Sequence, residues 1–159
     1  MERTLVIVKP DGVQRRLVGD ILGRFEKKGF QILGLKMMRI DMALAEKHYE
    51  VHKARPFYAS LVKFMTSAPV VVVALAGVEA VKVVRKMVGA TFGPEAEPGT
   101  IRGDYGLSRS FNLIHASDSP ETGEREVALF FKKDDLIESE VPGKRWVYDD
   151  EDLQPKKKA

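Results

Sequence analysis

The stretch FNLIHASDSPETGE, residues 111–124, holds Asn112, the only asparagine in 159 residues, and His115, one of three histidines. Neutral imidazole offers a lone pair near pH 7 and can act as a nucleophile. His115 closes an apolar run and stands just before a polar, turn-forming one, so the end of a strand would hold it rigidly. A carboxylate beside one ring nitrogen would fix the tautomer and orient the other nitrogen. Asp118 and Ser119 follow His115. Glu126 lies on the next expected helix, where it could point back along the helix face. A lone histidine is more often a satisfied core residue, and Glu126 on spacing alone is more often a surface charge.

Cations are placed to meet a charged ligand. Lys9 ends the first apolar run and precedes Pro10-Asp11-Gly12. Arg85 lies in a helical stretch, Thr91 just beyond its end, and Arg102 between Ile101 and Gly103. Each alone carries little, since most Lys and Arg are solvated. Together they suit phosphates, because phosphoryl transfer is mostly positioning and charge neutralisation, and Arg suits two-pronged phosphate contact. The chain has no GxxxxGK[ST] loop and no protein-kinase glycine loop or HRD motif. If phosphate is handled here, the nucleophile is the histidine itself. His48 and His52 stand four apart on an expected helix, one face of a possible zinc site, but no HExxH pattern surrounds them and no cysteine assists. We read them as a solvated or half-buried pair and expect no metal held by the protein.

The length suits one domain, and 44% hydrophobic residues are enough for a real core. The absence of cysteine excludes disulfides, thiolate metal sites and cysteine nucleophiles. With 26 basic and 23 acidic residues the net charge is +3, which permits anionic ligands without demanding nucleic acid. The longest apolar runs, VVVVALAG at 70–77 and TLVIV at 4–8, fall short of the roughly 20 residues a membrane span needs. The start lacks a signal-peptide layout, so we expect a cytoplasmic protein with no membrane partner.

The elements that must position these residues follow from periodicity. Residues 3–9 read as a buried strand, broken by Pro-Asp-Gly. A helix over 18–28 aligns Val18, Ile21, Leu22 and Phe25 and stops at Gly29. Residues 30–40 read as a strand with a bulge at Gly34. Asp41 caps a helix expected to run to about Ala54. Another starts at Pro56 and ends near Thr66, with Phe57, Leu61 and Phe64 aligned. A central strand over 69–77 and a helix ending at Val88 lead into a long irregular loop, 90–110. A strand over 111–116 precedes a helix begun by Ser119, Pro120 and Glu121 and running to about Lys132. Two β-α-β units flank a helical pair. That order fits an α/β (α+β) fold, a ferredoxin-like four-stranded antiparallel sheet with surrounding helices, expected on one face. A doubly wound parallel sheet is the rival that pattern alone does not exclude.

Five blocks, TLVIVKPDGVQRRLVGDIL, HYEVHKARPFYASLVKFM, SAPVVVVAL, GTIRGDY and NLIHASDSPETGEREVALFF, stand in the order found in nucleoside diphosphate kinases, from about Arg3 to Tyr148. The chain resembles that family, for which N-x-x-H-x-S-D-S is very specific. The resemblance implies an enzyme that moves the terminal phosphoryl group of a nucleoside triphosphate, commonly ATP, to a nucleoside diphosphate. The route would be ping-pong, through a phosphohistidine formed on Nδ1 of His115. Mg2+ would be the cofactor, bridging phosphates and carried mainly by the nucleotide. By position, Lys9 resembles the lysine near the ribose hydroxyl and phosphates, and Asn112 its partner at the 3′-hydroxyl. Arg85, Thr91 and Arg102 resemble the phosphate-holding set. Phe57, with Leu61 beside it, resembles the aromatic on which the base stacks. Tyr49 and Glu126 resemble the residues that place His115, and Ser117 and Asp118 those that fix the turn after it.

The chain departs from the family pattern in places. Ala116 replaces a glycine, and TFGPEAEPG at 91–99 and YGLSRSF at 105–111 are unusual, with Arg109 at the position counted to face the base. Residues 1–148 are expected to form the kinase domain and 149–159 a charged tail, with Trp146 as a candidate anchor. Relatives are commonly hexamers, sometimes tetramers, so a homo-oligomer is expected. A nucleic-acid-binding module is the alternative, suggested by Lys156, Lys157 and Lys158, but the acidic block 149–152 precedes them and no aromatic RNP pattern is present.

Overall fold

Strand β1 (Glu2–Val8) is buried from Thr4 onward. Its side chains alternate between two faces. Leu5 and Ile7 enter one apolar cluster, while Val6 and Val8 enter a second. Strand β3 (Val70–Gly77) is buried throughout and divides in the same way, with Val70, Val72 and Ala74 on one side and Val71, Val73 and Leu75 on the other. A continuous β-branched run therefore marks a strand covered on both faces. The structure, a computed structural model, describes residues 1–138 and 143–154. The lysines at 156–158 lie outside the described residues.

The sheet has the order β2-β3-β1-β4, with β2 spanning Gln31–Met38 and β4 spanning Ile114–Ala116, and every neighbouring pair is antiparallel. This is the ferredoxin-like arrangement, and the antiparallel pairing excludes the doubly wound rival. The expected bulge is present as a register shift between Ile32 and Gly34.

Helices α2 (Val18–Lys28) and α5 (Ala80–Val88), from the two β-α-β units, cover one face through Ile21, Phe25, Ala80, Val84 and Val88. The opposite face is also covered, which corrects the expectation of helices on one face. Here α3 (Met42–His48), α4 (Tyr58–Thr66) and α7 (Pro120–Phe130) pack Ala45, Val62, Met65, Val127 and Phe130 onto the sheet. The expected caps are in place. Asp41 accepts from Leu44 N at 2.8 Å and Ser119 accepts from Thr122 N at 3.1 Å. Gly29 ends α2 in the left-handed region, φ 100°, with Val147 packed where a side chain would stand.

Several boundaries differ from the sequence reading. Helix α3 ends at His48, and a 3₁₀ turn, Glu50–His52, replaces its expected continuation. Helix α4 turns Val62 and Met65 inward, leaving Phe57 exposed and Leu61 and Phe64 half-buried. Pro10–Gln14 forms a short helix, α1, where only a break was expected; proline at the first helical position suits this start. The long loop contains a second short helix, α6 (Ile101–Tyr105), capped by Thr100. Trp146 does not anchor the C-terminal segment, being 82% exposed. Val147 against Gly29 and the Tyr148 hydroxyl, 3.4 Å from Val78 N, make that contact instead.

Candidate active site

Strand β4 is shorter than the apolar run that encodes it because Leu113 adopts left-handed backbone, φ 69°. A branched residue there is strained unless its surroundings hold it. They do. Leu113 N donates to Asp11 Oδ2 at 3.0 Å, and its carbonyl accepts from Lys9 N at 2.8 Å. Gly12 lets α1 approach this closely, since a Cβ there would meet Val8 Cγ1 at 2.7 Å and the Leu113 carbonyl oxygen at 3.0 Å. Arg102, buried on α6, grips the carbonyls on either side: Nε donates to Asn112 O at 3.1 Å and Nη2 to Ile114 O at 2.7 Å. Its Nη1 reaches the carbonyls of Gly89 and Ala90, each at 3.3 Å. Burial, then the nearby Arg85 cation, push its pKa down to about 10.

Beyond the kink the strand alternation separates His115 from its neighbours. Ile114 and Ala116 sink into the cluster beneath α2 and α5. His115, opposite Ile7 on β1, turns to the other face and meets α3 and α7. Its Nε2 lies 3.1 Å from Oε2 of Glu126, and the Ser117 hydroxyl donates to the same oxygen at 2.6 Å. Ser117 Oγ in turn accepts from Leu5 N at 3.0 Å, tying Glu126 to the central strand. Burial opposes ionisation of Glu126, but the His115 and Ser117 hydrogen bonds outweigh it and hold its carboxyl below the usual range. An ionised Glu126 makes Nε2 the protonated nitrogen and leaves the lone pair on Nδ1. Asp118 is exposed on the turn.

The cationic end adjoins this pair. Lys9 Nζ donates to Asn112 Oδ1 at 2.7 Å, and Asn112 Nδ2 donates to Thr91 O at 2.9 Å. Burial, followed by repulsion from Arg102, lowers the Lys9 pKa to about 8. Arg85 and Thr91 are exposed beside this chain of contacts. Phe57, 46% exposed, stands 5.6 Å from the His52 ring, with half-buried Leu61 one turn along α4.

His48 is the residue sequence reasoning missed. It is buried, not solvated, and its ring meets that of His115 edge-on at 4.7 Å. Only His52 of the pair is half-buried. A four-residue spacing on one continuous helix would set the two histidines on one face; instead α3 ends at His48 and His52 lies in the 3₁₀ turn beyond it. Tyr49 also differs in detail. Its ring is 6.2 Å from that of His115, but its buried hydroxyl has no hydrogen-bond partner among the described residues, so it meets the histidine by packing. The two unusual loop stretches meet each other. Arg109 pairs with Glu95 at 2.7 Å and lies 4.1 Å over the Phe92 ring. A wide surface cavity lined by Arg3, Leu33, Tyr148 and others shares no residue with this cluster.

A family model for nucleoside diphosphate kinase matches residues 2–136. The chain belongs to the nucleoside diphosphate kinase family. It is 55% identical to the nucleoside diphosphate kinase of Pelotomaculum thermopropionicum, over 94% of this chain and all of that one. It is 57% identical to that of Pyrococcus furiosus, over 87% of this chain and 88% of the relative. Among solved structures it is similar to a halophilic nucleoside diphosphate kinase from Halobacterium salinarum in complex with CDP, at 50% identity and TM-score 0.91, covering 93% of this chain and 99% of that one. As a nucleoside diphosphate kinase it transfers a phosphoryl group between nucleoside di- and triphosphates, by the family's ping-pong route through a phosphohistidine. Nucleotide kinases of this kind generally take their nucleotide with a divalent metal. No helix of the described residues is long and apolar enough to cross a membrane.

Proposed function

We propose that His115 is the phosphorylated histidine. Its Nδ1 lone pair attacks the terminal phosphorus of a nucleoside triphosphate, commonly ATP. The bond from that phosphorus to the bridging oxygen breaks, and the nucleoside diphosphate leaves with the electron pair. A terminal phosphate oxygen of a second diphosphate then takes the group back from nitrogen. The proton on Nε2 stays in place throughout, facing Glu126. The observation that carries this reading is the 3.1 Å contact between Nε2 and an ionised Glu126, which commits the other nitrogen to nucleophilic work.

The same geometry supports the remaining roles. Lys9 and Asn112 form a joined pair suited to the ribose hydroxyl and the phosphate next to it. Exposed Arg85 and Thr91 bind phosphate oxygens, and Arg102 adds its charge from a position fixed by backbone carbonyls. Phe57 and Leu61 receive the base, which stacks whatever its identity because every base has a π-face. Tyr49 packs His115 in place. Mg2+ enters with the nucleotide. The phosphate end presents cations and a hydroxyl, whereas magnesium favours oxygen ligands such as carboxylates and the phosphates themselves. Residues 1–148 form the kinase domain and 149–159 a charged tail, a division supported by Tyr148 docking at Val78. The protein works in the cytoplasm as a homo-oligomer, a hexamer or tetramer. The edge strand β2, with Leu35 and Met37 more than half exposed, offers a surface for assembly.

Radiolabelled ATP with magnesium tests the central claim. Label should remain on the protein, resist alkali, be lost in acid and move to added GDP. Protein that takes up no label overturns the reading. His115→Ala should abolish labelling, a loss on the order of 10⁴-fold or more, with an unchanged melting temperature.

A further inference from the structure

One buried group in the site has no part in the steps above. The His48 side chain is 1% exposed and packs edge-on against the rings of Tyr49, His115 and Phe130, at 4.4, 4.7 and 5.1 Å. Among the described residues neither of its ring nitrogens has a hydrogen-bond partner. For filling space this is a poor choice of residue. A phenyl ring makes the same edge contacts, while buried polar atoms without partners are unfavourable and rare. Burial and the neighbouring His115 push the His48 pKa down to about 3. It is therefore neutral at working pH, with one N–H and one lone pair.

The direction of its Nδ1 supplies the function. That atom stops 3.8 Å from Oε1 of Glu126. Among the described residues both hydrogen bonds to the Glu126 carboxylate, from His115 and from Ser117, fall on the other oxygen, Oε2. A carboxylate held at one oxygen can still pivot about it. We propose that His48 is a positioning residue for the transfer, its Nδ1–H closing on Oε1 of Glu126 as His115 becomes phosphohistidine. This rests on the reading of His115 as the nucleophile.

When Nδ1 forms its bond to phosphorus, the imidazole gains positive character and Nε2–H draws on Oε2. Closing 3.8 Å to a normal N–H···O distance needs a shift of about 1 Å. With His48 engaged, donors hold both carboxylate oxygens, and the negative charge cannot turn away from the ring as the ring becomes cationic. No proton changes owner. When the second diphosphate takes the phosphoryl group, the positive character fades and the contact relaxes to the separation seen here.

His48→Phe keeps the edge contacts and removes both nitrogens, while His48→Gln restores an N–H donor. The readouts are the single-turnover rate of labelling by radiolabelled ATP with magnesium, the rate of discharge to GDP, the nucleotide KM and the melting temperature. His48→Phe should slow both half-reactions about tenfold, the low end of what losing a hydrogen bond to a charged group costs. Its KM should stay within about twofold and its melting temperature should hold or rise, since unpartnered polar atoms leave the core. His48→Gln should recover most of the rate. His48→Leu serves as a smaller replacement if Phe lowers the melting temperature. A folded His48→Phe or His48→Leu at wild-type rate overturns the proposal, and so does a folded His48→Gln no faster than they are. His115→Ala runs alongside. If it still takes up label, the nucleophile reading fails and His48 with it; if it takes up none while His48→Phe is normal, only the role of His48 fails.

Discussion

The two ends of the site are built in opposite ways. Around His115 every charged or polar partner is already engaged or walled in: Glu126, Ser117, Tyr49 and His48 are all buried. At the proposed nucleotide end Arg85, Thr91 and Phe57 lie open to solvent. A nucleophile must keep one tautomer and one orientation through every cycle, so it gains from a rigid, dry surround. Groups that grip a ligand must release it twice per cycle, so they stay solvated when empty. Lys9 and Asn112 bridge the two styles, buried yet joined to each other at the edge of the open end.

That contrast can be broken in graded steps. The largest effect should come from the sealed end. Glu126→Gln keeps the shape and removes the charge facing Nε2, and kcat should fall on the order of a hundredfold, with KM nearly unchanged in steady-state assays. A change mainly in KM would show that the ends are not separate. Next comes Lys9. Its pKa near 8 means that kcat/KM, which reports the free enzyme, should decline above about pH 8. Lys9→Met should lose that alkaline limb and roughly tenfold to a hundredfold in kcat/KM at neutral pH. Stability should move the other way. Between about 8 and 10.5 the unfolded chain holds more protons at this lysine than the folded one, so its contribution to stability grows as pH rises through that window, measurable by denaturant titration.

The open end should show smaller changes of a different kind. Phe57→Ala removes a stacking face of about 1–3 kcal/mol. KM should rise for all four bases alike while the melting temperature stays put, because the ring is already 46% exposed. The smallest effect is expected at Arg109, whose exposed pair with Glu95 is worth about 0–1 kcal/mol. Arg109→Val should shift KM a few-fold at most, and its consequences should fade as salt is raised.

The sequence made the chemistry unusually legible. Lys9 and His115 stand out by residue type, whereas their pairing with Asn112 and Glu126 is what the family resemblance implies, and contacts of 2.7 and 3.1 Å join those pairs. Helix ends were readable where a cap does local work, as at Asp41, Ser119 and Gly29. The failures had a common origin. Helix α3 stops at His48 and α4 turns a different stripe inward because the sheet face beneath them, not their own periodicity, decides what is buried. The strand over 111–116 shortened because Leu113 is held left-handed by Asp11 and Lys9, about a hundred residues away in the chain.

The sequence by itself determined the family and the alternation of strands and helices. These depend on residue identity and on neighbours within a few positions. Only the tertiary structure decided that both sheet faces are covered, that Arg102 is committed to carbonyls, and that His48 lies against His115. Each depends on segments far apart in the chain meeting in one place, and burial at that meeting sets which polar groups must find partners and which ionise.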